Sequence, residues 1–266
     1  MNEFFSAIIL GIIEGLTEFL PVSSTGHMIL AGHLLGFEGD AETTFKIVIQ
    51  LGAVLAVFAL YWRRYLDVAA GLIRLDFRRK KLNAIHMALA MLPALIVYLL
   101  FKDFIKGTLF GPEPVLIGLV AGGILMIAAA RFKRTVTAEE TDDMTYGQAL
   151  GIGLFQCLAL WPGFSRSGST ISGGLFLGTS QKAAADFTFI IAVPVMLGAT
   201  LLDLWDSRHI LSADDLWLFL AGFVSAFVVA MLAVVTFLSL IKRLRLEWFA
   251  LYRFVIAALF YFIVLV

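Results

Sequence analysis

The chain has 266 residues with a formal net charge of zero, and 61% of them are hydrophobic while only 15% are charged. This composition, with a mean hydropathy of +0.94, excludes a soluble globular domain and predicts an integral membrane protein. The zero net charge gives no basic field to attract nucleic acid, and a lone cysteine, Cys157, excludes an internal disulfide framework and a multi-cysteine metal site.

In chain order, the first predicted element is a short apolar stretch over 11–27 that breaks at Pro, Gly and Ser residues and continues into a second short apolar piece. Three long apolar runs follow, then a charged linker around 131–146, a second broken stretch over 153–169 and three more runs. The long runs are predicted membrane-spanning helices, at about 45–62, 85–101, 114–130, 185–204, 216–240 and 248–266. Each broken stretch is predicted to be a re-entrant helix pair around a polar pocket.

The two broken stretches resemble edited copies of one another. At an offset of 142 residues, the matched pairs are Gly11/Gly153, Glu14/Gln156, Leu16/Leu158, Phe19/Trp161, Ser23/Ser165, Gly26/Gly168 and Gly36/Gly178. One re-entrant pair and three spans make an odd number of crossings, so a duplicated half is predicted to be inverted relative to the first. We therefore expect one integral membrane domain, all-α and polytopic, with a first inverted repeat over 1–134 and a second over 147–266. Six transmembrane helices and two re-entrant helix pairs form this inverted-topology repeat.

Lysines and arginines set the predicted orientation. If the segment after the first span is cytoplasmic, fourteen of them lie on that side and four outside, with Arg166 and Arg253 left within or beside the membrane. An excess of basic residues marks the cytoplasmic side. Both termini are then outside. The broken parts of the two stretches, here called the first tip (within 11–27) and the second tip (within 153–170), enter the membrane from opposite sides and meet near the midplane.

Glu14 and Glu18 carry the acidic charge of the first tip. They are four residues apart, so on a helix both carboxylates face one way, although apolar residues flank them. Two unpaired carboxylates in such surroundings would be neutralised or unstable. We expect either a divalent ion, Mg²⁺ or Ca²⁺, or Arg166 as their partner, and Mg²⁺ in particular binds carboxylates together with substrate phosphates.

The residues after this acidic pair, Ser23, Ser24, Thr25 and His27, begin a new helix. Hydroxyls and backbone N–H groups at a helix N-terminus can hold an anion, although the same hydroxyls can simply cap a buried helix end. His27 can serve as a general base for Ser24, attack phosphorus itself, or be a structural histidine.

In the second tip, Arg166 lies among hydroxyls and glycines. A guanidinium group can donate hydrogen bonds to two phosphate oxygens at once, while the hydroxyls of Ser165, Ser167 and Thr170 donate to the remaining oxygens. The alternative is a structural ion pair with Glu14 or Glu18. Because Gln156 stands where the first tip has Glu14, the expected site is asymmetric, with carboxylates on one tip and the cation on the other.

At these residues the chain resembles the bacitracin-resistance (BacA) family of undecaprenyl-diphosphate phosphatases. The two matching motifs are Glu14-Gly15-Leu16-Thr17-Glu18 with Ser23-Ser24-Thr25-Gly26-His27, and Pro162-Gly163-Phe164-Ser165-Arg166-Ser167-Gly168-Ser169-Thr170. The resemblance implies a divalent-metal-dependent hydrolase of the bacterial inner (plasma) membrane. Such an enzyme converts undecaprenyl diphosphate to undecaprenyl phosphate, recycling the carrier lipid of cell-wall peptidoglycan synthesis and conferring bacitracin resistance, at a site opening to the periplasmic face.

Carried onto this sequence, the resemblance implies a role for each matching residue. Glu18, Ser24, His27 and Arg166 would be catalytic, and Glu14 and Glu18 would hold the metal. The substrate-binding residues would be Ser23, Thr25, Gln156, Ser165, Ser167 and Thr170. The expected partners are the polyprenyl diphosphate substrate and membrane lipid.

Alternatives remain open from the sequence. Inverted repeats with broken helices are also the architecture of carriers, so a membrane transporter or polyprenyl-lipid flippase using the same midplane site is the main alternative. Lipid phosphatases of the acid-phosphatase type fit less well, because they need a histidine five residues after the arginine and Ile171 stands there. Gly118, Gly122 and Gly123 predict close helix packing, either within the chain or between two copies in a homodimer.

Overall fold

The structure is a computed structural model that describes residues 3–37, 40–75, 81–132, 134–207, 216–241 and 243–266. Within these ranges the regular elements are helical, and the β-type pairing is an isolated bridge between Ala138 and Thr179. The all-α fold class is therefore confirmed. Several basic residues used to predict the orientation lie outside the described residues: Arg78, Arg79, Lys80, Lys133, Arg208 and Lys242.

Each half contains five α-helices in the described part of the chain. The first half has α1 (Glu3–Thr17), α2 (Ser24–Leu35), α3 (Asp40–Ile73), α4 (Ala84–Phe104) and α5 (Pro112–Arg131). The second half has α6 (Tyr146–Gln156), α7 (Arg166–Phe176), α8 (Gln181–Ser207), α9 (Leu216–Leu240) and α10 (Leu246–Phe260). A 3₁₀ turn, Cys157–Leu160, extends α6 toward the second tip.

Among the described residues, six helices are long and apolar enough to cross a membrane, which confirms the predicted spans. They cover Thr44–Ile73, Ala84–Phe104, Pro112–Arg131, Gln181–Leu201, Leu216–Leu240 and Leu246–Leu265. The protein is therefore a multi-pass membrane protein. By contrast, α1, α2, α6 and α7 have 15, 12, 11 and 11 residues, fewer than the roughly 20 that a spanning helix needs. The re-entrant path of these short helices and the repeat boundaries stay predictions.

Equivalent glycines let the first helix of each half pack against the fourth helix of the other. A Cβ added at Gly11 of α1 would lie 2.4 Å from the Gly222 carbonyl oxygen of α9. A Cβ at Gly153 of α6, the residue 142 positions later, would lie 2.7 Å from the Ala90 carbonyl oxygen of α4. Since real Cβ atoms do not approach oxygen so closely, only glycine permits these contacts. The reciprocal packing is what a duplicated arrangement predicts.

The two breaks share an unusual backbone conformation. Ser23 and Ser165, which the duplication aligns, have φ values of 71° and 72° and are the N-cap residues of α2 and α7. A positive φ is uncommon for a residue with a side chain. Each hydroxyl accepts a hydrogen bond from the backbone N–H three residues on, at Gly26 and Gly168. Both short helices are therefore started in the same way, and each turns sharply away from the segment before it.

The linker between the halves ties several helix ends to one face of the molecule. Asp142 accepts hydrogen bonds from Arg64 in the last third of α3 and from the Leu82 backbone N–H before α4. Glu140 forms an ion pair of 2.7 Å with Lys182 at the start of α8. These are the helix ends that the charge pattern predicts to share one side, so the described residues agree with that part of the prediction.

Asp142 should make stability depend on pH. Partial burial alone raises the pKa of Asp142, but hydrogen bonds from Arg64 and Leu82 outweigh it and hold the pKa below the ordinary value of 3.8. A carboxyl group with a lowered folded-state pKa contributes stability above its unfolded-state pKa and loses it as the pH falls through the folded-state value. Asp142→Asn should therefore lower the melting temperature of purified protein near neutral pH, and the difference from wild type should shrink in strong acid.

Asp67→Asn is the matched control, because Asp67 is an exposed carboxylate 3.5 Å from Lys81 on the same face, and such surface pairs contribute little. Equal melting temperatures for Asp142→Asn and wild type at neutral pH would contradict the prediction.

An apolar core lies directly beneath the first tip. Phe19 is fully buried and meets Phe189 of α8 edge to face, with ring centroids 5.6 Å apart. Phe189 in turn contacts Phe237 of α9 at 5.9 Å. Aromatic burial of this kind fixes the residue next to Glu18 in place, so the acidic tip rests on a rigid layer.

Candidate active site

The two tips meet. Arg166 Nη2 donates to Glu18 Oε1 at 3.1 Å, across 148 positions of sequence. Ser167 Oγ donates to the Leu20 carbonyl oxygen at 2.9 Å, which joins the tips a second time. The Arg166 guanidinium also lies 5.5 Å from the centre of the Phe19 ring. The predicted approach of an acidic tip to a basic tip is thus present, and Arg166 forms an ion pair with Glu18.

A cavity of about 200 Å³ opens between the tips. It is lined by polar groups of both tips, by Trp161 and by two residues of spanning helices, and the full set is Glu18, Ser23, Ser24, Thr25, Gln50, Ala159, Trp161, Pro162, Gly163, Ser165, Arg166 and Met196. A polar cavity inside an otherwise apolar helical bundle is costly unless it holds a polar ligand. Its volume suits a phosphate-sized group rather than a whole lipid.

Two helices begin at the wall of this cavity. α2 begins at Ser24 and α7 begins at Arg166, and both residues line the cavity. The first N–H groups of a helix have no partner within the helix, and the helix dipole places partial positive charge there. With the Arg166 side chain, the cavity therefore presents several donors and positive charge to an anion.

Glu18 accepts a hydrogen bond from a hydroxyl at the cavity wall. Its Oε2 accepts a hydrogen bond of 2.5 Å from Ser24 Oγ, while its Oε1 accepts from Arg166. The residue is only 9% exposed. Consequently Ser24 is already directed at a carboxylate that can take its proton, and Arg166 orients that carboxylate.

His27 is held elsewhere. Its Nδ1 lies 2.7 Å from the Ser23 carbonyl oxygen and its Nε2 lies 2.7 Å from the Tyr252 hydroxyl oxygen. Because a carbonyl oxygen only accepts hydrogen bonds, Nδ1 carries the proton, and Tyr252 donates to Nε2 of the neutral ring. His27 is 8% exposed and is not among the residues that line the cavity. The geometry pairs Ser24 with Glu18 rather than with His27.

Glu14 lies behind Glu18 as the second carboxylate. It is 4% exposed, interacts with the Glu18 carboxyl group, and has Lys46 and Arg166 within electrostatic range. In the described ranges, no group of three or more His, Cys, Asp or Glu side chains converges on one point. The pair nevertheless fits Mg²⁺, because that ion takes one or two carboxylates and completes its shell with water and substrate phosphate oxygens. It does not fit a site built from protein ligands alone.

Three other predicted substrate-binding residues lie away from the cavity. Gln156 donates from Nε2 to the Ala90 carbonyl oxygen at 3.0 Å. Ser167 is used in the contact between tips, and Thr170 Oγ1 donates to the Arg166 carbonyl oxygen at 2.8 Å. All three are buried. Their side chains stabilise the tips, and their roles in substrate binding stay predictions.

Sequence reasoning missed some residues that line the cavity. Gln50 is a polar residue inside an apolar run, between Ile49 and Leu51, and a polar residue within a membrane span is a recognisable sign of function. Trp161 is aligned with Phe19 by the duplication, and its indole N–H donates to the Pro114 carbonyl oxygen at 2.8 Å. Nothing in the sequence marks Met196, which reaches the cavity only through the packing of α8.

The fold and the site define a polytopic helical membrane protein with an acidic and a basic tip around a polar cavity. Comparison with known protein families makes this specific. The chain matches the family model for the bacitracin resistance protein BacA over residues 7–259. The protein therefore belongs to the BacA family, as the two sequence motifs predict.

Proposed function

We propose that this protein hydrolyses undecaprenyl diphosphate to undecaprenyl phosphate and inorganic phosphate. Membership of the BacA family supports this activity and bacitracin resistance. The observation that carries the proposal is the chain of contacts from Ser24 to Glu18 to Arg166 at the wall of a phosphate-sized cavity. A hydroxyl aimed at a carboxylate base, beside a fixed guanidinium, is the arrangement that nucleophilic phosphoryl transfer requires.

In the proposed first step, Ser24 Oγ attacks the terminal phosphorus of the diphosphate. Its proton passes to Glu18 Oε2, which already accepts its hydrogen bond. The bond from the terminal phosphorus to the bridging oxygen breaks, and that oxygen leaves with the polyprenyl monophosphate. A water molecule then attacks the phosphorus of the phosphoserine, and the bond from phosphorus to Ser24 Oγ breaks. Glu18 returns its proton to Ser24 Oγ, and the oxygen and the hydrogens of the water leave with the inorganic phosphate.

Charge on the transferring phosphoryl group is neutralised by groups that are already in place. Arg166 supplies a planar donor fork, and the N-termini of α2 and α7 supply backbone N–H groups. Ser23, Thr25 and Ser165 line the same cavity and complete the polar wall. Preorganised donors of this kind stabilise developing charge without reorganisation, which is the main source of catalysis in phosphoryl transfer.

A divalent metal ion, Mg²⁺ or Ca²⁺, is proposed as cofactor. Glu18 at the cavity wall and Glu14 behind it would hold it together with diphosphate oxygens. When bound, the ion would withdraw negative charge from the phosphoryl oxygens. In this proposal Ser24 would remain the nucleophile and Arg166 would remain a donor to the phosphoryl oxygens.

A site between short helices inside a membrane protein suits a substrate whose chain lies in lipid. We place the protein in the bacterial inner membrane with the cavity open to the periplasmic face, where cell-wall polymer assembly leaves the diphosphate carrier. Recycling that carrier supports peptidoglycan synthesis, and removing the diphosphate that bacitracin binds confers resistance.

The test is release of inorganic phosphate by purified protein in detergent, with a polyprenyl diphosphate and Mg²⁺. We expect turnover that stops when the metal is chelated, and one phosphate per lipid. No phosphate above the rate without protein would reject the proposed activity. Phosphate release that is unaffected by chelation would remove the metal from the proposal and leave the hydrolase.

The carrier alternative is tested by the same substrate in sealed vesicles. Movement of the lipid between leaflets without phosphate release would favour a transporter or flippase. Phosphate release without movement would favour the hydrolase alone. The contact between Ser24 and Glu18 favours the hydrolase, because a carrier needs charge complementarity but no hydroxyl paired with a base.

A further inference from the structure

Arg253 of α10 is a fully buried arginine in the interior of a spanning helix. Its guanidinium nitrogens donate to four backbone carbonyl oxygens, those of Gly118, Leu119, Gly163 and Phe164, over 2.8–3.1 Å. In the part of the chain that the structure describes, no carboxylate lies within ion-pair distance of it. Its Nη1 also lies 3.9 Å from the Met126 sulfur. A buried cation is costly unless its donors are satisfied, so these main-chain oxygens are what make the buried charge of Arg253 tolerable.

The carbonyl groups that Arg253 binds belong to two different segments. Gly118 and Leu119 are on α5, whereas Gly163 and Phe164 form the loop that leads into Ser165 and Arg166. Gly163 lies at the cavity wall with a φ of 89°. Arg253 therefore fastens the second tip to α5 immediately before the residues proposed to hold phosphate.

Missing side chains on α5 make this contact possible. A Cβ at Gly122 would lie 2.3 Å from Arg253 Nη2 and 2.4 Å from the Phe164 carbonyl oxygen. A Cβ at Gly118 would lie 2.4 Å from the Pro162 carbonyl oxygen. These glycines are thus used within the chain, against the second tip and Arg253. Whether two copies also associate stays a prediction.

The residue before Arg253 holds the first tip. Tyr252 donates to His27 Nε2, and the two rings stack with centroids 5.5 Å apart and an interplanar angle of 11°. His27 is on α2, three residues after Ser24, and its other nitrogen donates to the Ser23 carbonyl oxygen. Through His27, Tyr252 therefore fixes the start of the helix that carries the proposed nucleophile.

We infer that Tyr252 and Arg253 are positioning residues. They fix the position of the two tips relative to each other, so that Ser24 and Arg166 face one phosphoryl group. Consecutive residues of one rigid helix reach one tip each, and neither lines the cavity. The inference rests on the proposed function for its effect on rate, but the tethering itself is a property of the structure. A misplacement of about 1 Å between reacting groups can cost a hundredfold in rate.

Two variants release the tips separately. Tyr252→Phe removes one hydroxyl from a side chain that is 43% exposed and leaves the ring stack. Gly122→Ala places a methyl group against Arg253 and the Phe164 carbonyl. The matched controls are Tyr261→Phe, a half-exposed tyrosine beyond the end of α10, and Gly198→Ala in α8, where an added Cβ meets nothing within 4 Å.

The experiment measures backbone hydrogen exchange of the full-length protein in detergent, with the melting temperature, kcat and KM of the same preparations. We expect Tyr252→Phe to raise exchange over 23–28, and Gly122→Ala to raise it over 162–168, with kcat about tenfold lower and KM little changed. Arg253→Lys, which keeps the charge and some donors, should behave like a milder Gly122→Ala. Both controls should match wild type.

Wild-type exchange and wild-type kcat in Tyr252→Phe and Gly122→Ala would overturn the inference. Exchange raised throughout the protein with a lower melting temperature in both variants would also overturn it, because the residues would then be merely structural. If wild-type protein releases no phosphate, the proposed function fails, and the location of the exchange changes still decides whether the two tips are held separately by α10.

Discussion

Replacing Ser24 with alanine should reduce phosphate release by at least about a thousandfold, the largest loss of any single substitution in the cavity. Ser24 is the hydroxyl at the cavity wall that donates to Glu18, so its removal takes away the attacking oxygen and leaves only substrate positioning. The measurement is the initial rate of phosphate release at saturating polyprenyl diphosphate. Denaturing the wild-type reaction quickly should also trap a phosphoserine at position 24.

His27→Ala is the informative comparison, because the sequence allows either residue to attack. His27 donates to Ser23 and accepts from Tyr252, so its removal should slow the reaction less than that of Ser24 and should leave the phosphoserine detectable. A phosphohistidine at position 27, or loss of all trapping in His27→Ala with a normal Ser24→Ala, would contradict the assignment. Ser239→Ala, at an exposed serine of α9, is the matched control and should retain wild-type turnover.

Arg166→Ala should lower turnover by at least about a hundredfold, the scale of losing one charged transition-state contact. Arg166 lines the cavity and donates to Glu18 at 3.1 Å. Its loss removes the guanidinium donors to the phosphate oxygens and leaves the buried Glu18 carboxylate without its Arg166 partner. Glu18→Ala should cost at least as much, because it removes the base for Ser24.

Arg166→Lys separates the two roles of the arginine. A lysine keeps the positive charge but has no planar fork, so we expect KM to stay closer to wild type than kcat does. Arg245→Ala provides the control, since Arg245 is an exposed arginine 3.0 Å from Glu247, and surface pairs contribute little. Near-normal turnover in Arg166→Ala, with its expression and melting temperature intact, would remove Arg166 from the mechanism.

The chemical types in the site were readable from the sequence because membranes penalise polar groups. Glu18, Ser24 and Arg166 stand out in apolar surroundings, and hydrocarbon makes such residues costly unless they are used. The same reasoning predicts the six spans, since length and hydropathy are properties of a contiguous segment. The predicted inversion of the second half also predicts that the acidic and basic tips meet, because the two tips then enter from opposite sides of the membrane.

The sequence by itself determined the membrane-spanning helices, the likeness of the two broken stretches and the identity of the charged residues, all of which are local or periodic signals. Only the tertiary structure decided which side chains contact one another: that Ser24 pairs with Glu18, that His27 turns away to Tyr252, and that Arg253 binds the loop before Arg166. The first of these contacts joins residues 6 positions apart, and the other two join residues 225 and 89 positions apart. They depend on helix packing and on missing Cβ atoms at Gly118 and Gly122, which no pattern along a single chain specifies.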